Sequence, residues 1–84
     1  KIDVIDENIV YALGSRMNVS RKIGEYKKEN NIAIIQTARW DKVFSKVLEK
    51  GKEYGLSEKF LSDVFTAIHE ASVEVQNEII SRKD

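Results

Sequence analysis

The stretch IDVIDENIVYALGSRMNVSRKIGEYKKENN, residues 2–31, decides the fold. From Ile2 its apolar residues Ile5, Ile9, Leu13 and Ile23 recur at intervals near three, four and seven, the spacing of one helix face rather than of a strand. Asp3, Asp6 and Glu7 put acid in the opening turns, where the helix dipole favours it. The pattern predicts a first helix from Lys1 to about Glu29, broken by Asn30-Asn31. Ile32 to Ile35 then read as a short apolar connector, and Thr37 as the N-cap of a second helix over about 37–54 carrying Trp40, Val43, Phe44, Val47 and Leu48. Gly55 suits a left-handed helix end, and Ser57 caps a third helix over about 58–82 carrying Phe60, Leu61, Val64, Phe65, Ile68, Val75 and Ile79.

The rest of the 84-residue composition agrees with an all-α chain. There is no Pro, only four Gly, and a third of the residues are charged, as long solvated helix faces require. Length allows one modest domain, 1–84. Fourteen Lys and Arg balance fourteen Asp and Glu, leaving no net field to attract nucleic acid or an anionic membrane surface. No apolar run is long enough to span a bilayer. The absence of Cys excludes a disulfide scaffold and thiolate chemistry and favours a cytoplasmic setting. A start at Lys1 rather than Met suggests a domain cut from a longer polypeptide.

A first helix of that length extends about 43 Å, whereas a compact monomer of this size has a radius of gyration near 12 Å. The helix must overhang, and its apolar stripe calls for a second copy of the chain in a two-fold homodimer. Gly14 and Gly24, inside the helix, each cost up to about 1 kcal/mol relative to Ala, and close helix approach is the expected reason for them.

Chemistry begins where polar residues interrupt these stripes. Arg16 and Lys27 are eleven residues apart, three turns to within about 20°, and share the face of Ile5, Ile9 and Ile23. Ser72 and Gln76 interrupt the Leu61, Phe65, Ile68, Ile79 stripe, and Gln36 and Arg39 open the second helix on the side leading to Val43. An inward charge is costly unless paired. With no carboxylate in this lining to pair it, an anionic ligand is the natural partner. Any one of these residues alone reads as a snorkelling cation or a satisfied polar side chain; convergence from three helices shifts the balance. His69, the only His, lies near the Ser72 and Gln76 face without a carboxylate or second ligand to work with and reads as structural. The runs Lys42-Lys46-Lys50 and Glu70-Glu74-Glu78 read as solvated stripes, and Trp40, Phe44, Phe60 and Phe65 as core or interface. No metalloprotease motif, Gly-rich phosphate loop or nucleophile with an adjacent base occurs.

The segments IDENIVYALGSRMNVSRKIGEYK (5–27), QTARW (36–40) and LSDVFTAIHEASVEVQNEII (61–80) resemble the all-α, or type II, chorismate mutases. The likeness covers essentially the whole chain, and the spacing of Arg16, Lys27, Arg39, Ser72 and Gln76 is its most specific part. The resemblance implies three-helix subunits in an intertwined homodimer, chorismate as substrate, prephenate as product and no cofactor. It also implies roles. Arg16 and Arg39 would hold the substrate carboxylates, and Lys27 a carboxylate and the ether oxygen. Gln76 would donate to that oxygen from the other side, Ser72 would help hold a carboxylate, and Gln36 would meet the ring hydroxyl. Gln36 and Trp40 depart from the family's usual acids at those positions. A further Arg, donated by the partner's first helix, would by this register lie two residues before Lys1. The resemblance extends to mutase modules fused to DAHP synthase. The same fold hosts isochorismate pyruvate lyases, and a non-catalytic module binding aromatic metabolites is the alternative from another class.

Overall fold

The computed structural model describes residues 1–35 and 37–82, with the side chain of Thr37 also outside the description. Among the described residues the chain is all-α, with α1 Ile2–Asn30, α2 Thr37–Glu53 and α3 Glu58–Ser81. Each boundary has a local cause. Asn31 adopts the left-handed conformation (φ 53°, ψ 44°) and its backbone N–H bonds back to the Lys27 carbonyl, closing α1. Gly55 takes φ +74°, which a Cβ would oppose, and ends the α2 corner. Ser57 then caps α3, its side chain accepting from Phe60 N–H at 3.2 Å. The capping expected of Thr37 rests on a side chain outside the described residues; the backbone makes Thr37 the first residue of α2.

α3 is the hub. α1 and α2 each pack on it, whereas α1 and α2 do not pack on each other among the described residues. Contacts between α1 and α3 rise together in sequence, Ser20 with Ser72 and Gly24 with Gln76, so the two helices run the same way there. Contacts between α2 and α3 run oppositely, Trp40 with His69 and Gly51 with Leu61. A Cβ at Gly51 would collide with Leu61 Cδ1, so this glycine sets how closely the hairpin closes. At Gly24 a Cβ would stand 3.2 Å from the Gln76 Cα, the close approach expected there; at Gly14 it would meet nothing within 4 Å. The expectation of close approach therefore fails for Gly14 within this subunit.

The molecule measures 44 × 30 × 15 Å, and its radius of gyration is 14.7 Å. A helix with side chains is about 10–12 Å across, so the thin dimension is little more than one helix layer. Such a slab cannot enclose a core. Leu61 and Ile79 are the buried apolar side chains among the described residues, while Ile2, Ile5, Ile9 and Leu13 stand exposed along the first half of α1. No helix is long and apolar enough to cross a membrane among the described residues.

Candidate functional site

The second half of α1 presents to α3 a face that is polar rather than apolar. Arg16, Ser20, Gly24 and Lys27 fall at intervals of four, four and three, which keeps them on one side of the helix. Opposite them on α3, Ser72 and Gln76 are one turn apart. Gly24 lets the two backbones approach, so side chains that would otherwise sit at a rim are drawn into the seam.

Lys27 organises the centre. Its Nζ donates to the Ile34 carbonyl at 2.8 Å and to Gln76 Oε1 at 3.0 Å. Because an ammonium can only donate, the Gln76 oxygen must face it and the amide nitrogen must face away. That nitrogen lies 3.4 Å from Ser72 Oγ, which accepts from it. Ser72 Oγ in turn lies 2.5 Å from Ser20 Oγ. Gln76 is only 6% exposed, so its orientation is set by these neighbours rather than by water.

Among the described residues no ion pair neutralises Arg16, Lys27 or Arg39. Burial, and after it the positive charge of Arg39, hold the Lys27 ammonium below the usual lysine range. Arg16 has a buried Nε with no hydrogen-bond partner among the described residues. The ion pairs found among those residues, Lys50 with Glu53 and Lys59 with Asp63, lie on exposed faces away from the seam. Arg16 and Lys27 are half-buried and Arg39 is exposed beside them, and like charges brought this close disfavour one another unless an anion joins them. The site is therefore suited to a ligand bearing carboxylate or a comparable anion.

The structure thus brings Lys27, Ser72 and Gln76 into one hydrogen-bonded series and puts Arg39 within electrostatic reach. Arg16 joins the same face of α1 one turn before Ser20. Gln36 lies outside the described residues. His69 is stacked on Trp40, with ring centroids 4.1 Å apart and planes inclined by 19°, and Trp40 also meets Phe44 at 5.4 Å. Two participants escaped the sequence reading. Ser20 had a signal, four residues after Arg16 and four before Gly24; the Ile34 carbonyl had none, because a backbone acceptor in a connector leaves no trace in residue type. Among the described residues no three His, Cys, Asp or Glu side chains gather as a metal site would.

The family described as chorismate mutase type II matches residues 1–77. The bifunctional chorismate mutase/prephenate dehydratase of Buchnera aphidicola subsp. Acyrthosiphon pisum (strain APS) is 35% identical over 82 residues, which is 98% of this chain and 21% of that protein. The protein of the same description from Aquifex aeolicus (strain VF5) is 38% identical over 82 residues, covering 96% of this chain and 20% of the relative. This chain thus spans about a fifth of the length of these curated relatives. Their second function is prephenate dehydratase, so the DAHP synthase partner implied by the resemblance is not the one these relatives carry. No solved structure matches the chain significantly.

Proposed function

The chain belongs to the chorismate mutase type II family, and from that premise we propose that the seam between α1 and α3 binds chorismate and converts it to prephenate. Chorismate carries two carboxylates and an enol ether, and its rearrangement is intramolecular: the ether C–O bond breaks as a C–C bond forms. No nucleophile, metal or redox group takes part. The protein must hold the chair-like conformer and stabilise the negative charge that grows on the ether oxygen.

The observation that carries this reading is the 3.0 Å Lys27–Gln76 hydrogen bond, which turns the amide nitrogen of Gln76 away from the ammonium. Lys27 and Gln76 then offer two donors to one ligand oxygen from different directions. A simple carboxylate binder has no use for that pair. Arg16 and Arg39 take the two carboxylates, Ser72 assists with one of them, and Gln36 meets the ring hydroxyl. The exposed stripe Ile2, Ile5, Ile9 and Leu13 supports a homodimer in which a second copy covers the first half of α1. A prephenate-consuming activity, of the kind borne by the relatives, is the natural companion.

The deciding experiment follows the ultraviolet absorbance of chorismate and, separately, pyruvate release from isochorismate. The expected result is chorismate loss with prephenate formed. Pyruvate release from isochorismate without mutase turnover would assign the fold's lyase activity instead, and binding without turnover of either would assign a regulatory module.

A further inference from the structure

Ser20 is a surprising residue for its place. It is 3% exposed, on the face where α1 meets α3. Alanine would fill a close helix contact with better helix propensity and no polar atom to satisfy. The hydroxyl needs a reason, and its partner, Ser72 Oγ at 2.5 Å, supplies one.

Hydrogen counting along the series limits what Ser72 can do. Lys27 donates only, so Gln76 Oε1 accepts and Gln76 Nε2 donates to Ser72 Oγ. Ser72 has a single hydrogen of its own. If it donates to Ser20, none remains for a ligand. If Ser20 donates instead, the Ser72 oxygen accepts from Ser20 and from Gln76, and its own hydrogen is free to turn outward. Both directions fit one Oγ–Oγ distance, because a hydroxyl hydrogen rotates without moving its oxygen.

We propose that Ser20 is a positioning residue: on ligand binding it donates to Ser72, and so turns the Ser72 hydrogen onto a ligand carboxylate that Ser20 itself does not touch. In the unliganded chain either hydroxyl can be the donor of the pair; a ligand carboxylate selects the direction that frees the Ser72 hydrogen. This rests on the reading that Ser72 holds a carboxylate of chorismate. A contact kept from bound substrate through the transition state acts on affinity and not on the rate of the bound complex. Ser20 should therefore show itself in KM.

The test is a double-mutant cycle of Ser20→Ala, Ser72→Ala and both together, read as kcat and KM for chorismate and as the dissociation constant of prephenate by calorimetry. Ser20→Ala is expected to raise KM roughly three- to tenfold, the scale of one net hydrogen bond, with kcat changed less than twofold. Added to Ser72→Ala it should have no further effect. The thermal midpoint should hold or rise, since Ala suits the helix better. An unchanged KM, or an equal factor with and without Ser72, overturns the proposal. If the unaltered chain binds prephenate but does not consume chorismate, the mutase reading fails while the cycle in prephenate affinity still decides on Ser20. If it binds neither, both fall.

Discussion

The two halves of α1 share one face and use it oppositely. Over residues 2–13 that face is Ile2, Ile5, Ile9 and Leu13, and it stands open to solvent in the single subunit. Over residues 16–27 the same face is Arg16, Ser20, Gly24 and Lys27, and α3 covers it. Hydrophobic burial alone would have placed these the other way round. In the proposed reading a second copy covers the apolar stripe and a ligand meets the polar one. The largest test strikes the open half. Ile5 and Ile9 are 54% and 52% exposed, and burying such a side chain is worth about 1.5–3 kcal/mol, twice over in a symmetric dimer. Ile9→Asp should weaken dimerisation on the order of a hundred- to ten-thousandfold by sedimentation. A variant with unaltered assembly would mean that the stripe is not the interface.

Lys27 tests the covered half. Lys27→Ala removes the donor that orients Gln76, and it should lower kcat/KM by at least roughly a hundredfold, the scale of one preorganised donor to a developing charge, while circular dichroism stays helical. Near-normal turnover would move the reacting oxygen elsewhere. Gln76→Glu asks the same question with less force. In the proposed geometry a carboxylate here would repel the charge on the ether oxygen, and once protonated it could donate again. Activity should drop about tenfold or more at neutral pH and recover in acid, whereas a profile parallel to the unaltered chain would remove Gln76 from the reaction.

Lys27 also predicts two opposite pH trends. Its folded pKa is lowered by burial and by Arg39. Between that lowered value and the unfolded one, the unfolded chain binds more protons, so stability rises with pH across the interval. In the role proposed for Lys27 activity needs the ammonium, and it should fall across the same interval. The alkaline limb of kcat/KM should therefore lie below that of an ordinary lysine, and Arg39→Met should move it upward. In a stability profile the rise should be missing from Lys27→Met. An alkaline limb that stays put in Arg39→Met would separate the two cations.

How much of this was legible follows from where each signal lies. Asn31, Gly55 and Ser57 act through their own backbone or one-turn hydrogen bonds, so their positions could be read from local sequence. Arg16, Lys27, Ser72 and Gln76 were readable as interruptions in apolar stripes, since periodicity reports which side of a helix a residue occupies. Periodicity does not report which stripe faces which. The Ser20–Ser72 contact, the Ile34 carbonyl beneath Lys27 and the Trp40–His69 stack all depend on how α3 sits against its neighbours. Gly51 carries no sequence signal for the same reason: its neighbour Leu61 is close only after the hairpin closes.

The glycines give the smallest effect and the sharpest contrast between the halves. Gly24 lies in the covered half, where a Cβ would stand 3.2 Å from the Gln76 Cα and 3.3 Å from its Cγ. Backbone cannot yield as a flexible side-chain end does, so Gly24→Ala must part α1 from α3 and move the amide of Gln76. Gly14 lies about 140° round α1 from the centre of the stripe, and a Cβ there meets nothing within 4 Å. Its substitution by Ala should gain about 0.5–1 kcal/mol from helix propensity and the reduced freedom of the unfolded chain, with activity unchanged. Gly24→Ala should lose both stability and kcat/KM despite the same gain in propensity. Thermal melts of the two variants, with one kinetic measurement on each, decide the matter. If Gly14→Ala destabilises the dimer, a partner helix lies against the back of α1, and the second copy docks on a face other than the Ile5–Ile9 stripe.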